Sequence, residues 1–231
     1  MKIKAVATDV DGTLTDTAGK LSCRAVEAVR MLEAKNIPVV LVSGNALCVL
    51  KTLQTYIGCS GAIVAESGAV VEYKGRIEVL GDGRKVREAL KRLKEKFGEL
   101  VKERWSNMYR YVDAALDRNL RYEDVLKVLE EFPDLRFLDS GFAYHITVKG
   151  LDKGVGLTVA AKLMGLNVKD FACVGDSEAD VEMFKVSGFK IALANSSREL
   201  KLLANYVTLR SGGEGFAEAA EKILSMLVEE D

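Results

Sequence analysis

Two hydrophobic textures divide this chain. Ile3 to Val10, Val39 to Val42 and Ala62 to Ala65 are apolar almost throughout and short, the pattern of strands buried on both faces of a parallel sheet. Between the first two, Ala25, Val26, Val29 and Leu32 recur at helical spacing behind Ser22, a residue type that caps helix N-termini, and the pattern stops near Asn36-Ile37-Pro38. A second helical stretch follows Ser43-Gly44-Asn45 and runs to about Tyr56. Strand, helix and strand in alternation predict a doubly wound, Rossmann-like α/β domain with a parallel sheet.

Near Gly81-Asp82-Gly83 the texture changes. Residues 84–97 read as a charged amphipathic helix, Met108 to Leu116 as a strand and Tyr122 to Phe132 as a helix. Arg136 to Leu138 and Phe142 to Val148 read as two strands joined at the turn signal Asp139-Ser140-Gly141. From Lys153 the first texture returns, with a helix to Met164, a buried strand Phe171 to Val174 and a helix to Val186. Strands Lys190 to Leu193 and Tyr206 to Leu209 flank a short helix after Ser196, and a last helix spans Phe216 to Val228. The expected organisation is therefore a core made of residues 1–80 and 151–231, with a small α+β cap, residues 81–150, inserted into it.

Charge and composition narrow the partners. The 231 residues carry 33 Lys and Arg against 34 Asp and Glu, a formal net charge of −1, so no polyanion such as nucleic acid is expected. No apolar run reaches the roughly 18 residues that span a bilayer, and Met1-Lys2-Ile3-Lys4-Ala5 leads into a strand rather than a signal peptide, which predicts a cytoplasmic protein without membrane attachment. Cys23, Cys48, Cys59 and Cys173 form no CxxC pair and read as structural thiols. Oligomeric state is left open by the sequence, a homodimer included.

Ligands in open α/β sheets gather beyond the carboxyl ends of the strands. Three expected strands end there in polar, glycine-punctuated turns: Asp9-Val10-Asp11-Gly12-Thr13, Ser43-Gly44-Asn45, and Gly175-Asp176-Ser177 with Asp180 one helical turn on. Each has an ordinary reading in isolation, namely a solvated Asp-x-Asp turn, a plain turn and helix N-capping. Lys153 alone would be a solvated charge in a glycine-rich link. Together they put carboxylates suited to Mg²⁺, neutral donors suited to phosphate, and a cation at one sheet edge. Phosphate-monoester hydrolysis needs accelerations up to about 10²¹, on the order of 29 kcal/mol, so a metal clamp, a nucleophile, a proton donor and a phosphate cradle must act jointly.

The ordered set Asp9-Val10-Asp11-Gly12-Thr13, Ser43-Gly44-Asn45, Lys153 and Gly175-Asp176-Ser177-Glu178-Ala179-Asp180 resembles the four motifs of haloacid dehalogenase superfamily phosphatases with a C2-type cap. The resemblance implies an aspartyl-phosphate formed on Asp9, with Asp11 as the general acid and base. It implies Mg²⁺ held by Asp9, Asp11 through its main-chain carbonyl, and Asp176, with Asp180 as a ligand or just behind. Ser43, Gly44, Asn45 and Lys153 would hold the phosphoryl oxygens. The chain length and the Asp152-Lys153-Gly154 return resemble archaeal phosphoglycolate phosphatases, which implies a small phosphorylated metabolite, 2-phosphoglycolate first, as substrate. A sugar-phosphate phosphatase or a phosphomutase would keep the same site. A non-enzymatic, receiver-like phosphate-responsive module is the alternative of another class, although receivers carry the acceptor Asp on a later strand and no inserted domain. Relatives often carry Asn where this chain has Ser67. His145 lies on an alternating strand, and the sequence leaves open whether it faces substrate or the interior of the cap.

Overall fold

Strands apolar on both faces need helices above and below them, and the computed structural model, which describes residues 3–140 and 143–228, supplies both layers. The chain runs β1 (Ala5–Thr8), α1 (Cys23–Ala34), β2 (Val39–Val42), α2 (Leu47–Ile57), β3 (Ile63–Ala65), β4 (Val70–Tyr73), β5 (Arg76–Val79), α3 (Arg84–Phe97), β6 (Ala114–Leu116) and α4 (Tyr122–Leu129). It continues through β7 (Leu135–Asp139), β8 (Tyr144–Val148), α5 (Lys153–Leu163), β9 (Phe171–Gly175), α6 (Val181–Val186), β10 (Phe189–Ala192), α7 (Arg198–Leu203), β11 (Tyr206–Val207) and α8 (Gly212–Val228). Ser22 caps α1 as its sequence predicts, accepting the N–H of Ala25. No helix among the described residues is long and apolar enough to cross a membrane.

Eight strands form the main sheet in the order β11-β10-β9-β1-β2-β3-β4-β5, parallel from β11 to β3. Val6 of β1 packs in one core with Val29 and Leu32 of α1 and Phe216 of α8, while Ala5 and Ala7 pack in another with Leu157 of α5 and Phe184 of α6. The chain moves outward from β1 through β2 to β3 and later returns to lay β9 on the other side of β1. The strand order therefore reverses between β1 and β9, and the loops after these two strands diverge to leave a crevice there.

The sequence reading omitted the antiparallel hairpin β4–β5 on the sheet edge. Its signal was present in Tyr73-Lys74-Gly75-Arg76, because Lys74 and Gly75 take φ of 51° and 85°, the paired left-handed residues of a two-residue hairpin turn.

A second sheet, order β6-β8-β7 and antiparallel throughout, occupies the segment between β5 and α5. Tyr144 and Ile146 of β8 and Leu135 and Phe137 of β7 face α3 and α4 in their own apolar core. By strand alternation His145 and Thr147 of β8 and Arg136 and Leu138 of β7 face the other way, and His145, Arg136 and Leu138 line the crevice. Gly141 and Phe142, from the expected turn and strand, lie outside the described residues. The strand expected from Met108 to Leu116 shrinks to Ala114–Leu116, preceded by a 3₁₀ turn at Trp105–Tyr109. A side chain has taken the backbone donors that pairing would use. The Glu66 carboxylate accepts those of Tyr111, Val112 and Asp113 at 2.9, 2.8 and 3.0 Å.

Glu66 thus ties the end of β3 to the second sheet from a left-handed backbone, φ 51°, shared by Ser67 at 55°. Burial, and then the charge of Asp113, push its carboxyl up to about 7 against the three N–H groups that favour the ionised form. A carboxyl raised on folding binds more protons in the native state, so its contribution to stability is full below the ordinary glutamate value and is lost as pH rises through about 7. The stability of the unaltered protein minus that of Glu66→Gln should therefore fall by roughly 3 kcal/mol between about pH 4.5 and pH 7. Urea midpoints across that range measure it, and a difference independent of pH would contradict the assignment.

Candidate active site

Asp9 and Asp11 follow β1, where the backbone stops pairing: the N–H of Asp9 still bonds to the carbonyl of Val174, and Asp11 opens the turn beyond. The two carboxylates enter different surroundings. Asp9 is buried and joins Asp176 and Asp180 in a group whose ligand oxygens all lie within 4.8 Å of one another. Asp11 is exposed, and its Oδ2 accepts Asn45 Nδ2 at 2.8 Å and Ser43 Oγ at 3.4 Å. Both side chains nevertheless line the same cleft. Among the described residues the carboxylates of Asp9, Asp176 and Asp180 cluster, and that of Asp11 belongs to the Ser43–Asn45 turn.

Lys153 opens α5 and projects into the cluster, with Nζ 2.6 Å from Asp9 Oδ1 and 2.6 Å from Asp180 Oδ1. Its side chain is 5% exposed, so the ordinary reading as a solvated lysine does not hold. Burial works against its ammonium, but Asp180 and Asp9 outweigh that cost and hold the group above its usual range. Burial likewise raises Asp9 well above the normal carboxylate range; Lys153 opposes the rise while Asp180 and Asp176 add to it. Asp176 is pushed up to about 6 by burial and by Asp180. Three neighbouring carboxylates facing one ammonium form a site short of positive charge, the condition that favours a divalent cation with hard oxygen ligands.

The carboxylates are held from behind. Asp180 Oδ2 accepts the N–H groups of Asp176 and Ser177 at 3.0 and 3.1 Å, and Ser177 Oγ at 3.3 Å, so the capping that was its ordinary reading coexists with its place in the cluster. Thr13 Oγ1 donates to Asp176 Oδ1 at 3.3 Å, and Asn195 Nδ2 donates to Asp176 Oδ2 and to the Gly12 carbonyl, both at 3.1 Å. Gly12 is required there: its φ is +85°, and a Cβ would stand 2.4 Å from Asp176 Oδ2. Asn195 was missed in the sequence although it lies just past the carboxyl end of β10, where the rule that found the other turns would have found it.

Asp9, Asp11, Ser43, Gly44, Asn45, Lys153 and Asp176 line one cleft of about 820 Å³, and Asp180 lies behind it, fully buried. His145, which the sequence could not orient, faces this cleft together with Arg136, which the sequence reading did not single out. Arg104, Arg110 and Arg118 pair with Asp117, Asp113 and Asp139. All four cysteines are free thiols away from the cleft lining.

The chain matches the haloacid dehalogenase-like hydrolase family over residues 6–134 and 82–219. It is 38% identical over 222 residues to a phosphoglycolate phosphatase of Methanothermobacter thermautotrophicus, covering 96% of this chain and 99% of that one. A phosphoglycolate phosphatase of Archaeoglobus fulgidus is 41% identical over 222 residues, covering 95% and 96%. Among solved structures, Thermoplasma acidophilum protein 0175 superposes with a TM-score of 0.88 at 26% identity, covering 96% of this chain and 99% of that one. A haloacid dehalogenase-like hydrolase from Bacteroides thetaiotaomicron shares the fold at a TM-score of 0.81 and 19% identity, covering 96% and 100%. With the motif residues gathered at one sheet edge and near-full-length matches on both sides, the chain belongs to the haloacid dehalogenase-like hydrolases.

Proposed function

We propose that this hydrolase is a Mg²⁺-dependent phosphomonoesterase that forms an aspartyl-phosphate on Asp9 and acts on a small carboxylated phosphomonoester, 2-phosphoglycolate. The observation that carries the chemistry is the contrast between its two front aspartates: Asp9 is buried beside Lys153, Asp176 and Asp180, whereas Asp11 stands exposed at the cleft, held by Asn45 and Ser43. Two carboxylates in such different settings suit two roles. Asp9 Oδ attacks phosphorus as the bond to the leaving alkoxide breaks, and Asp11 gives that alkoxide its proton. Water then attacks the phosphoryl group, Asp11 takes its proton, and the Asp9 carboxylate is regenerated as phosphate leaves.

Ser43, the Gly44 backbone, Asn45 and Lys153 hold the phosphoryl oxygens. The oxygen-only donor set fits Mg²⁺, with Asp9, Asp176 and the Asp11 carbonyl as its ligands and Asp180 behind them, since both oxygens of Asp180 already accept hydrogen bonds. When bound, the cation offsets the charge gathered on the carboxylates and phosphoryl oxygens. The division into a core, 1–80 and 151–231, and a substrate-covering cap, 81–150, belongs to the same proposal. The choice of 2-phosphoglycolate is supported by the names of the two archaeal relatives.

A turnover panel of 2-phosphoglycolate, several sugar phosphates and a pyrophosphate, each with Mg²⁺ and with excess chelator, tests this. The expected result is the highest kcat/KM for 2-phosphoglycolate and background rates for all in chelator. Undiminished activity in chelator would remove the metal from the proposal, and a sugar phosphate ranking first would remove the substrate.

A further inference from the structure

The cleft face of the second sheet carries a polar chain that the phosphoryl chemistry does not use. Arg110 donates both to Asp113 Oδ1 and, at 3.0 Å, to the carbonyl of Gly44; Asp113 Oδ2 lies 3.2 Å from His145 Nδ1. The Asp113 side chain is fully buried, Arg110 is 3% exposed and His145 8%. Burial alone would raise the Asp113 carboxyl, but Arg110 and His145 hold it below its ordinary value, so it remains an anion. Its hydrogen bond places the Nδ1 proton on its own side of the ring and leaves Nε2 for the cleft. A Cβ built on Gly44 would lie 3.4 Å from His145 Cε1 and 3.6 Å from Nε2, so the ring edge stands directly over the turn assigned to the phosphoryl oxygens. In charge, Arg110 and Asp113 offset one another, and with the Nδ1 side given to Asp113 the Nε2 edge is the part of the ring left to meet a ligand.

We infer that His145 is the specificity residue for substrate, its Nε2–H binding an anionic carboxylate held only a few bonds from the phosphorus, with Asp113 and Arg110 as the positioning residues that orient the ring. The inference rests on the phosphatase reading and deepens it by naming the group that the cap reads. Proximity to Gly44 sets the length of that substrate. In 2-phosphoglycolate one methylene separates the bridging oxygen from the carboxylate, so an anion-binding group must sit close to the cradle, as His145 does; a reader of distant sugar hydroxyls would sit deeper in the 820 Å³ cleft. Arg110 also links this chain to the cradle through the Gly44 carbonyl, which fixes the distance between the two anion sites.

The test compares kcat/KM for 2-phosphoglycolate with that for p-nitrophenyl phosphate, which has no carboxylate, at saturating Mg²⁺ in the unaltered protein, His145→Ala, His145→Gln and Asp113→Asn. Loss of a charge-assisted hydrogen bond should lower the ratio of the two values about 10- to 100-fold in His145→Ala, mainly through KM for 2-phosphoglycolate. His145→Gln retains an N–H without the charge and should fall between. Asp113→Asn should shift the ratio the same way by less, again in KM. A ratio unchanged in both His145 variants, or a fall carried entirely by kcat on both substrates, overturns the inference. If the unaltered protein hydrolyses p-nitrophenyl phosphate but not 2-phosphoglycolate, the carboxylate reading falls and the phosphatase stands. If it hydrolyses neither, both fall.

Discussion

Asp9→Asn is expected to lower turnover of 2-phosphoglycolate by at least about four orders of magnitude while the protein still folds. An amide oxygen is a poor nucleophile toward phosphorus and cannot leave as a carboxylate, so neither half of the reaction retains its path. The fold should tolerate the change for an electrostatic reason. Asp9 is one of three clustered carboxylates that share a single buried ammonium, and burial already pushes its carboxyl far up. An uncharged isostere removes one member of a like-charged group and leaves Lys153 paired with Asp180 at 2.6 Å. The thermal midpoint should therefore move by no more than a few degrees, in the range of ordinary single substitutions. Two measurements separate the effects: steady-state turnover with 2-phosphoglycolate, and phosphate incorporation into protein after an acid quench. The unaltered enzyme should trap an acid-stable, hydroxylamine-labile phosphoryl group, and Asp9→Asn none. Residual turnover within about a hundredfold of the unaltered enzyme would remove Asp9 as nucleophile and leave it a metal-binding role.

How much of this was legible in the sequence depended on the range of the interaction. Doubly apolar strands announced the parallel sheet because both faces of β1, β2 and β9 are covered, and strand-end turns announced the site because the order of the sheet reverses between β1 and β9. The second sheet was legible as an inserted unit, but its first strand was misjudged. Residues 108–113 look extended by composition, yet Glu66, more than forty positions away, claims three of their N–H groups. No local pattern carries that information. The same limit applies to Lys153, whose Gly-rich surroundings suggest a solvated link. Its burial follows from α5 beginning at the point where β1 and Asp180 converge. His145 was undetermined for a simpler reason: alternation gives two faces, and only packing of Tyr144 and Ile146 on α3 and α4 decides which one is turned to the cleft.

Lys153→Met carries the second large effect, and it should appear in stability as well as rate. The substitution keeps the length and apolar stem of the side chain, so little packing is lost, but it removes the cation shared by Asp9 and Asp180 and leaves these two buried carboxylates beside the half-buried one of Asp176. Breaking a buried ion pair from one side costs about 3–5 kcal/mol, which for a chain of this size is a fall in midpoint of roughly 10 °C. That figure should hold in chelator. In saturating Mg²⁺ a divalent cation held as proposed, by Asp9 and Asp176 with Asp180 behind them, would restore positive charge to the same cluster, so the gap between variant and unaltered protein should narrow by several degrees. Activity should not return with stability. A cation at the carboxylates cannot replace an ammonium positioned on the phosphoryl oxygens, and kcat/KM should stay at least about a hundredfold down even when folding is complete. Thermal melts in chelator and in Mg²⁺, run beside turnover below both midpoints, measure each part. A midpoint unchanged in chelator would show that Lys153 is not the charge balancing the cluster, and an equal fall with and without Mg²⁺ would show that the cluster does not take up the cation.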